Sequence, residues 1–230
     1  MPIGAICAVC GVCLGGLLGV ALRRYISREI SEKLPMCFGI TSISSGILSV
    51  IRAAQMPVVT LAIVLGGWLG LALHLERRLR GGFERVLRRI PLPGGFEMEE
   101  FITVASIFCF SGFGLYGVMV ESFSGDSTQI LTKAFLDFFT AILFGSTLGV
   151  SVSLIALPQA AVFAAFFLLG RAVMPAMSED MVQNFIACGG VLTVAAGLRM
   201  AKIRMYPLVD MLPALALVVP LTPLWAALGM

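Results

Sequence analysis

The chain has 230 residues, 59% of them hydrophobic and 13% charged, with a mean hydropathy of +1.00. A soluble domain carries about 25% charged residues, so this composition excludes a soluble protein, and it excludes a soluble domain with one anchor. The formal net charge of +3 says little until the charges are placed along the chain.

Crossing the hydrocarbon core takes about 20 residues of helix. The apolar windows are 3–22, 36–51, 56–75, 101–120, 134–152, 158–174, 182–199 and 207–226. The reading is an all-α polytopic bundle of eight helices, with residues 1–230 as a single transmembrane domain. The second window is short, and the fifth and sixth are parted only by 153–157. Pro35, Pro57, Pro158 and Pro207 stand near predicted helix starts, where a missing N–H costs little.

The first window lacks a basic stretch before it and is followed by Arg23-Arg24. That pattern predicts a first crossing with the N-terminus outside, not a cleaved signal. Cys7, Cys10 and Cys13 in this window, like Cys37, Cys109 and Cys188 elsewhere, read as small apolar thiols. A spacing of three drifts round a helix with no His or acid near it, so no metal site and no cofactor is expected.

Gly15-Gly16-Leu17-Leu18-Gly19 in the first window is echoed by Gly66-Gly67-Trp68-Leu69-Gly70 in the third. Such residues let helices approach closely in lipid; the alternative is an unwound segment at a substrate site. A second echo relates Cys37–Gly46 in the second window to Cys188–Gly197 in the seventh. With eight crossings these run in opposite directions. Windows 1–3 and 6–8 would then form an inverted repeat, as in many secondary transporters.

Charge placement gives the orientation. Arg23, Arg24, Arg28 and Lys33 follow the first window, six arginines from Arg77 to Arg89 follow the third, and Arg199, Lys202 and Arg204 follow the seventh. Thirteen of the 16 basic residues thus share one side, and only Arg52, Lys133 and Arg171 fall on the other. The positive-inside rule puts the thirteen in the cytoplasm and both termini outside. The basic loop 76–100 carries Phe83, Val86, Leu87 and Ile90 at helical spacing. It reads either as an amphipathic helix on anionic headgroups or as a merely topogenic loop. Nothing else supports nucleic-acid binding.

The stretch Glu121–Gln159 sets carboxylates beside a long uncharged run. Lys133 and Asp137, four residues apart, share a helix face at the outer entrance of the fifth window. Two readings stand: a solvated surface pair, or an outward vestibule in which Asp137 binds a cation or proton. In the second, Glu121 and Asp126 add to a negative field, and Ser146 and Thr147 continue a polar track. Gln159 opens the sixth window, and Gln183 and Asn184 open the seventh; these amides either join helices or touch solute. Asp210, before Met211-Leu212-Pro213, is an ion site or a helix cap. His74 reads as interfacial. No catalytic constellation is present, so the chain is not expected to be an enzyme.

The motifs Gly125-Asp126, Lys133-Ala134-x-x-Asp137, Ser146-Thr147-Leu148-Gly149, Pro158-Gln159, Gly189-Gly190, Gly197-Leu198 and Leu212-Pro213-Ala214-Leu215 span nearly the whole length. With them the chain resembles the DUF554 family of bacterial inner-membrane proteins, small polytopic proteins of unknown biochemical function. Two departures are Ala8, where the family usually has Asn, and Asp210, where it usually has Asn in Asn-x-Leu-Pro. The resemblance implies location and fold type more than activity. Together the readings give a small secondary transporter or channel for an ion or small solute, cation- or proton-coupled. The alternative is a non-transporting membrane protein that organises partners or lipid. The lipid bilayer is the expected surrounding, and small-residue stripes suit a homodimer.

Overall fold

The computed structural model describes residues 2–87, 101, 104–105, 108–109, 112–173 and 176–227. The side chains of residues 28, 31, 32, 80, 83, 84, 86, 87 and 112 are outside the description. The described helices are α1 (Ile3–Leu22), α2 (Arg28–Val50), α3 (Met56–Leu73), α4 (Leu75–Leu87), α5 (Gly112–Ser124), α6 (Thr128–Leu148), α7 (Ser151–Leu154), α8 (Ala156–Val173), α9 (Glu179–Met200) and α10 (Pro213–Ala227). Phe101, Val104, Ala105, Phe108 and Cys109, ahead of α5, are helical too. Among the described residues, six helical segments are long and apolar enough to cross a membrane: α1, α2 from Lys33, α3, α6, Ser151–Val173 and α9. Helix α10 is apolar but shorter.

The chain divides into two compact units, residues 1–35 with 80–172 and residues 36–79 with 173–230. In the first unit α1 lies on α6 through glycines. A β-carbon at Gly15 would stand 2.5 Å from Phe138 O, and one at Gly145 would stand 2.5 Å from Gly16 O. Gly16 also faces α7, where Ser153 Oγ donates to Cys13 O at 2.9 Å. Backbones this close leave no space for side chains, and in lipid that contact is what holds helices together. The core around it holds Val12, Phe101, Val104, Phe108, Ala141, Val152 and Ile155.

In the second unit α2 crosses α9 in antiparallel sense. Gly39 and Gly197 each would place a β-carbon 2.6 Å from the other's carbonyl oxygen, and Gly46 and Gly190 do the same at 2.7 Å. These are the two segments that echo each other in sequence. Helix α3 packs on α10 through Gly66 against Ala214 and Gly70 against the Asp210 backbone. Gly67, expected in the packing stripe, meets nothing within 4 Å among the described residues. Gly66 and Gly70 lie four apart on one face, and Gly67 is turned off it.

Three boundaries differ from expectation. Helix α2 starts at Arg28, so Pro35 is internal, not an entry residue. The first turns are polar but helix-forming: Ile30 N donates to Ser27 Oγ at 3.3 Å, and Lys33 pairs with Glu29 at 2.5 Å. An apolarity window does not see them. Between the fifth and sixth windows the helix is interrupted twice: at Ile155, within the expected 153–157, and earlier at Gly149, whose φ of +75° suits glycine. The last helix begins at Pro213 and not near Pro207. Pro213 is its first residue, where its lost N–H would be unpaired anyway. The expected interfacial helix in 76–100 lies partly within α4, and residues 88–100 are outside the described residues.

Candidate functional site

The site is built at the start of α6. Gly125, with φ of +73°, turns the chain after α5. Asp126 fixes the turn: its N–H donates to Ser124 Oγ at 3.1 Å, and its Oδ1 accepts from Thr128 N at 2.9 Å. One and two turns further on, Lys133 and Asp137 project from the same face and form an ion pair, Lys133 Nζ donating to Asp137 Oδ1. Gln159 arrives from α8, and its Nε2 donates to Asp137 Oδ2 at 3.0 Å. All three are inside the first unit: Lys133 is 4% exposed, Asp137 5% and Gln159 0%. Lys133 Nζ lies 5.8 Å from the centre of the Phe108 ring, an attractive distance for a cation over an aromatic face. The Gln159 Oε1 acceptor has no hydrogen-bond partner among the described residues.

The other acidic candidates are used on helix ends. Glu121, 4% exposed, accepts from Gly4 N at 2.6 Å, Ala5 N at 3.1 Å and Ser127 Oγ at 2.8 Å. Its carboxylate closes the amino end of α1, where free N–H groups and the helix dipole favour an anion. In the second unit Asp210, 8% exposed, accepts from Glu76 N at 2.8 Å. It serves the amino end of α4, not that of the helix that follows it in sequence. Glu121 and Asp210 therefore do not join the Lys133–Asp137 cluster.

The remaining candidates tie helices. Asn184 is fully buried in the second unit. Its Oδ1 accepts from Gln55 N at 2.9 Å, and its Nδ2 donates to Gln55 Oε1 at 2.8 Å and Thr222 Oγ1 at 3.1 Å, joining α9, the start of α3 and α10. Ser146 Oγ returns to Leu143 O within its own helix at 2.7 Å. Sequence reasoning passed over Gln55, Thr222 and Phe108. Gln55 stands just before Met56-Pro57, and a polar side chain at a proline-marked helix entry was the available signal. Beside the site, an apolar groove of about 340 Å³ runs between α1 and α8, lined among others by Ala5, Ile6, Val9, Phe163 and Phe167.

Among the described residues, six membrane-length helical segments, lipid-suited surfaces and a charged pair enclosed among helices define a multi-pass integral membrane protein. The chain belongs to the DUF554 family, described as a protein of unknown function, which it matches over residues 3–223. It is 34% identical to the uncharacterized protein YqgA of Escherichia coli K12 over 99% of both chains. It is 23% identical to the uncharacterized membrane protein YdfK of Bacillus subtilis 168 over 87% of both. No solved structure matches it.

Proposed function

We propose that the protein is a small secondary transporter or channel whose solute site is the Lys133–Asp137–Gln159 cluster. The observation that carries this reading is the enclosed ion pair together with an enclosed amide acceptor, Gln159 Oε1, that has no partner among the described residues. Apolar residues of like volume often replace a buried ion pair at no cost to stability, so packing alone is weak ground for keeping one. Within a membrane span an ionisable pair facing the protein interior is a functional site by default.

The rest of the reading is architectural. The protein sits in the bacterial inner membrane with eight crossings, both termini outside and the arginine-rich loop inside. Windows 1–3 and 6–8 form an inverted repeat at a spacing of 151 residues. Cys188 follows Cys37, Gly190 follows Gly39, and Gly170 follows Gly19 by that interval. The bounds of α2 and α9, Arg28–Val50 and Glu179–Met200, agree with it to within one residue. The reciprocal glycine contacts between α2 and α9 support it as well. The second expectation, a non-transporting organiser of lipid or partners, asks for Glu121, Asp126, Asp137 and Asp210 all to stand in solvent; Asp126 is half-buried, and Glu121, Asp137 and Asp210 are buried. Catalysis is no part of this reading.

The test is flux. Purified protein in phosphatidylethanolamine–phosphatidylglycerol vesicles is given imposed gradients of protons, sodium, potassium, nitrate and lactate. At least one gradient drives a flux above that of empty vesicles, and Asp137→Asn changes it about tenfold or more. Parity with empty vesicles under every gradient rejects the transport reading.

A further inference from the structure

Resting on that transport reading, we propose that the site takes one small monovalent anion together with one proton. Lys133 is the anion-binding group, and Asp137 is the proton acceptor that masks it. The argument is one of charge. Lys133 and Asp137 cancel each other in an enclosed place. A metal cation added at Asp137 would leave an uncancelled positive charge there, and an anion added at Lys133 alone would leave a negative one. Uncancelled charge away from water is the costly case. A proton on Asp137 with a monoanion on Lys133 returns the site to zero, and neither does so alone. With Lys133 kept protonated, the anion and the proton enter one to one.

Gln159 carries the second observation. Its Nε2 holds Asp137 Oδ2 at 3.0 Å while its fully buried Oε1 has no partner among the described residues. A half-turn of the amide exchanges its donor and acceptor. Oε1 then accepts the O–H of protonated Asp137, and Nε2 is turned toward the anion. The proton comes from water and binds Oδ2, the Lys133–Asp137 hydrogen bond opens, and the ammonium turns to the anion. Release of the anion returns the proton to water, so no other covalent bond changes.

The groups around Asp137 are consistent with this exchange. On its own helix stands Lys133, and from α8 comes Gln159. Ahead of α5, Phe108 sets its ring 5.8 Å from Lys133 Nζ. From α5, Gly114 leaves the Lys133 stem space that a β-carbon, 3.1 Å from Cε, would narrow. Glu121, also buried in this unit, is occupied by the α1 amides.

Thermal unfolding of the purified full-length protein tests this with sodium lactate and sodium nitrate, sodium sulfate serving as the dianion control. Potassium and choline lactate form the cation arm. At about pH 5 the monoanions raise the midpoint by about 3 °C or more, whatever the cation, and at about pH 8 they do not. Asp137→Asn, which keeps the shape and, like the protonated acid, offers a donor to Gln159 once that amide turns over, gives the anion response at both pH values because the lysine is permanently unmasked. Lys133→Met combined with Asp137→Asn, a neutral site that folds without a lone charge, gives none. The proposal is overturned by a response that follows the cation, by Asp137→Asn retaining the wild-type pH dependence, or by no wild-type response to either monoanion. Cation-driven flux without anion binding would refute this inference and leave the transport reading standing. Anion binding of the stated kind without any flux would do the reverse.

Discussion

Lys133 and Asp137 cannot be removed singly without consequence. Asp137→Leu leaves an ammonium enclosed beside Phe108 and Gly114, and the expected loss is about 3–5 kcal/mol. The paired change Lys133→Met with Asp137→Leu removes both charges and is expected to unfold within about 1 kcal/mol of the wild type or above it. Denaturation in detergent, read by circular dichroism, checks both. A double variant that is stable but inert in flux separates function from packing at these positions. The i,i+4 spacing made the pair legible in the sequence. Its burial was not legible, because that depends on α8 and the segment before α5 closing over it. Gln159 was legible as a polar residue at a helix entry, but its partner lies 22 residues away on another helix. Asp210 shows the opposite case: the residues around it left an ion site and a cap equally open, and its carboxylate accepts from Glu76 N in a helix that starts 135 residues earlier in the chain, at Leu75.

At the scale of elements, glycine decides which faces meet. Gly145→Leu is expected to part α1 from α6, since even a β-carbon there stands 2.5 Å from Gly16 O. The cost is about 1–3 kcal/mol or loss of folding. Gly67→Ala, whose β-carbon would meet nothing within 4 Å among the described residues, is expected to be neutral or to add up to about 1 kcal/mol through helix propensity. Thermal unfolding of the two variants side by side is the measurement, and equal losses would contradict the packing described. Repetition of the glycine pattern in sequence marked both α1 and α3 as packing helices. It did not separate Gly67 from its neighbours, because pattern alone does not say which turn of a helix faces a partner. The break at Gly149 was hidden for a related reason: apolarity continues across it, and only the backbone conformation there reveals the turn.

For the whole molecule, the prediction concerns sidedness. Ser124→Cys, the last residue of α5, is expected to react with a membrane-impermeant maleimide from outside the cell. Arg85→Cys, in α4, is expected to react only after the inner face is exposed. Both residues are described, Ser124 and Arg85 being exposed. Background labelling is subtracted with the parent protein, whose Cys7, Cys10 and Cys37 are themselves exposed. The reverse pattern would invert the proposed orientation. YqgA of Escherichia coli, similar along its full length, is a second chain on which the same labelling can be run.

The sequence by itself determined that this chain lives in a membrane as a set of apolar helices, and it marked the charged pair on α6. Hydrophobic length and the placement of arginines act locally, residue by residue, against lipid and water, so they need no knowledge of neighbours. The tertiary structure decided which carboxylates hold helix ends, which glycines touch backbone, and that Gln159 completes the enclosed pair. Those outcomes depend on side chains far apart in the chain meeting where water is absent, and there a polar group's partner, not its own character, fixes what it does.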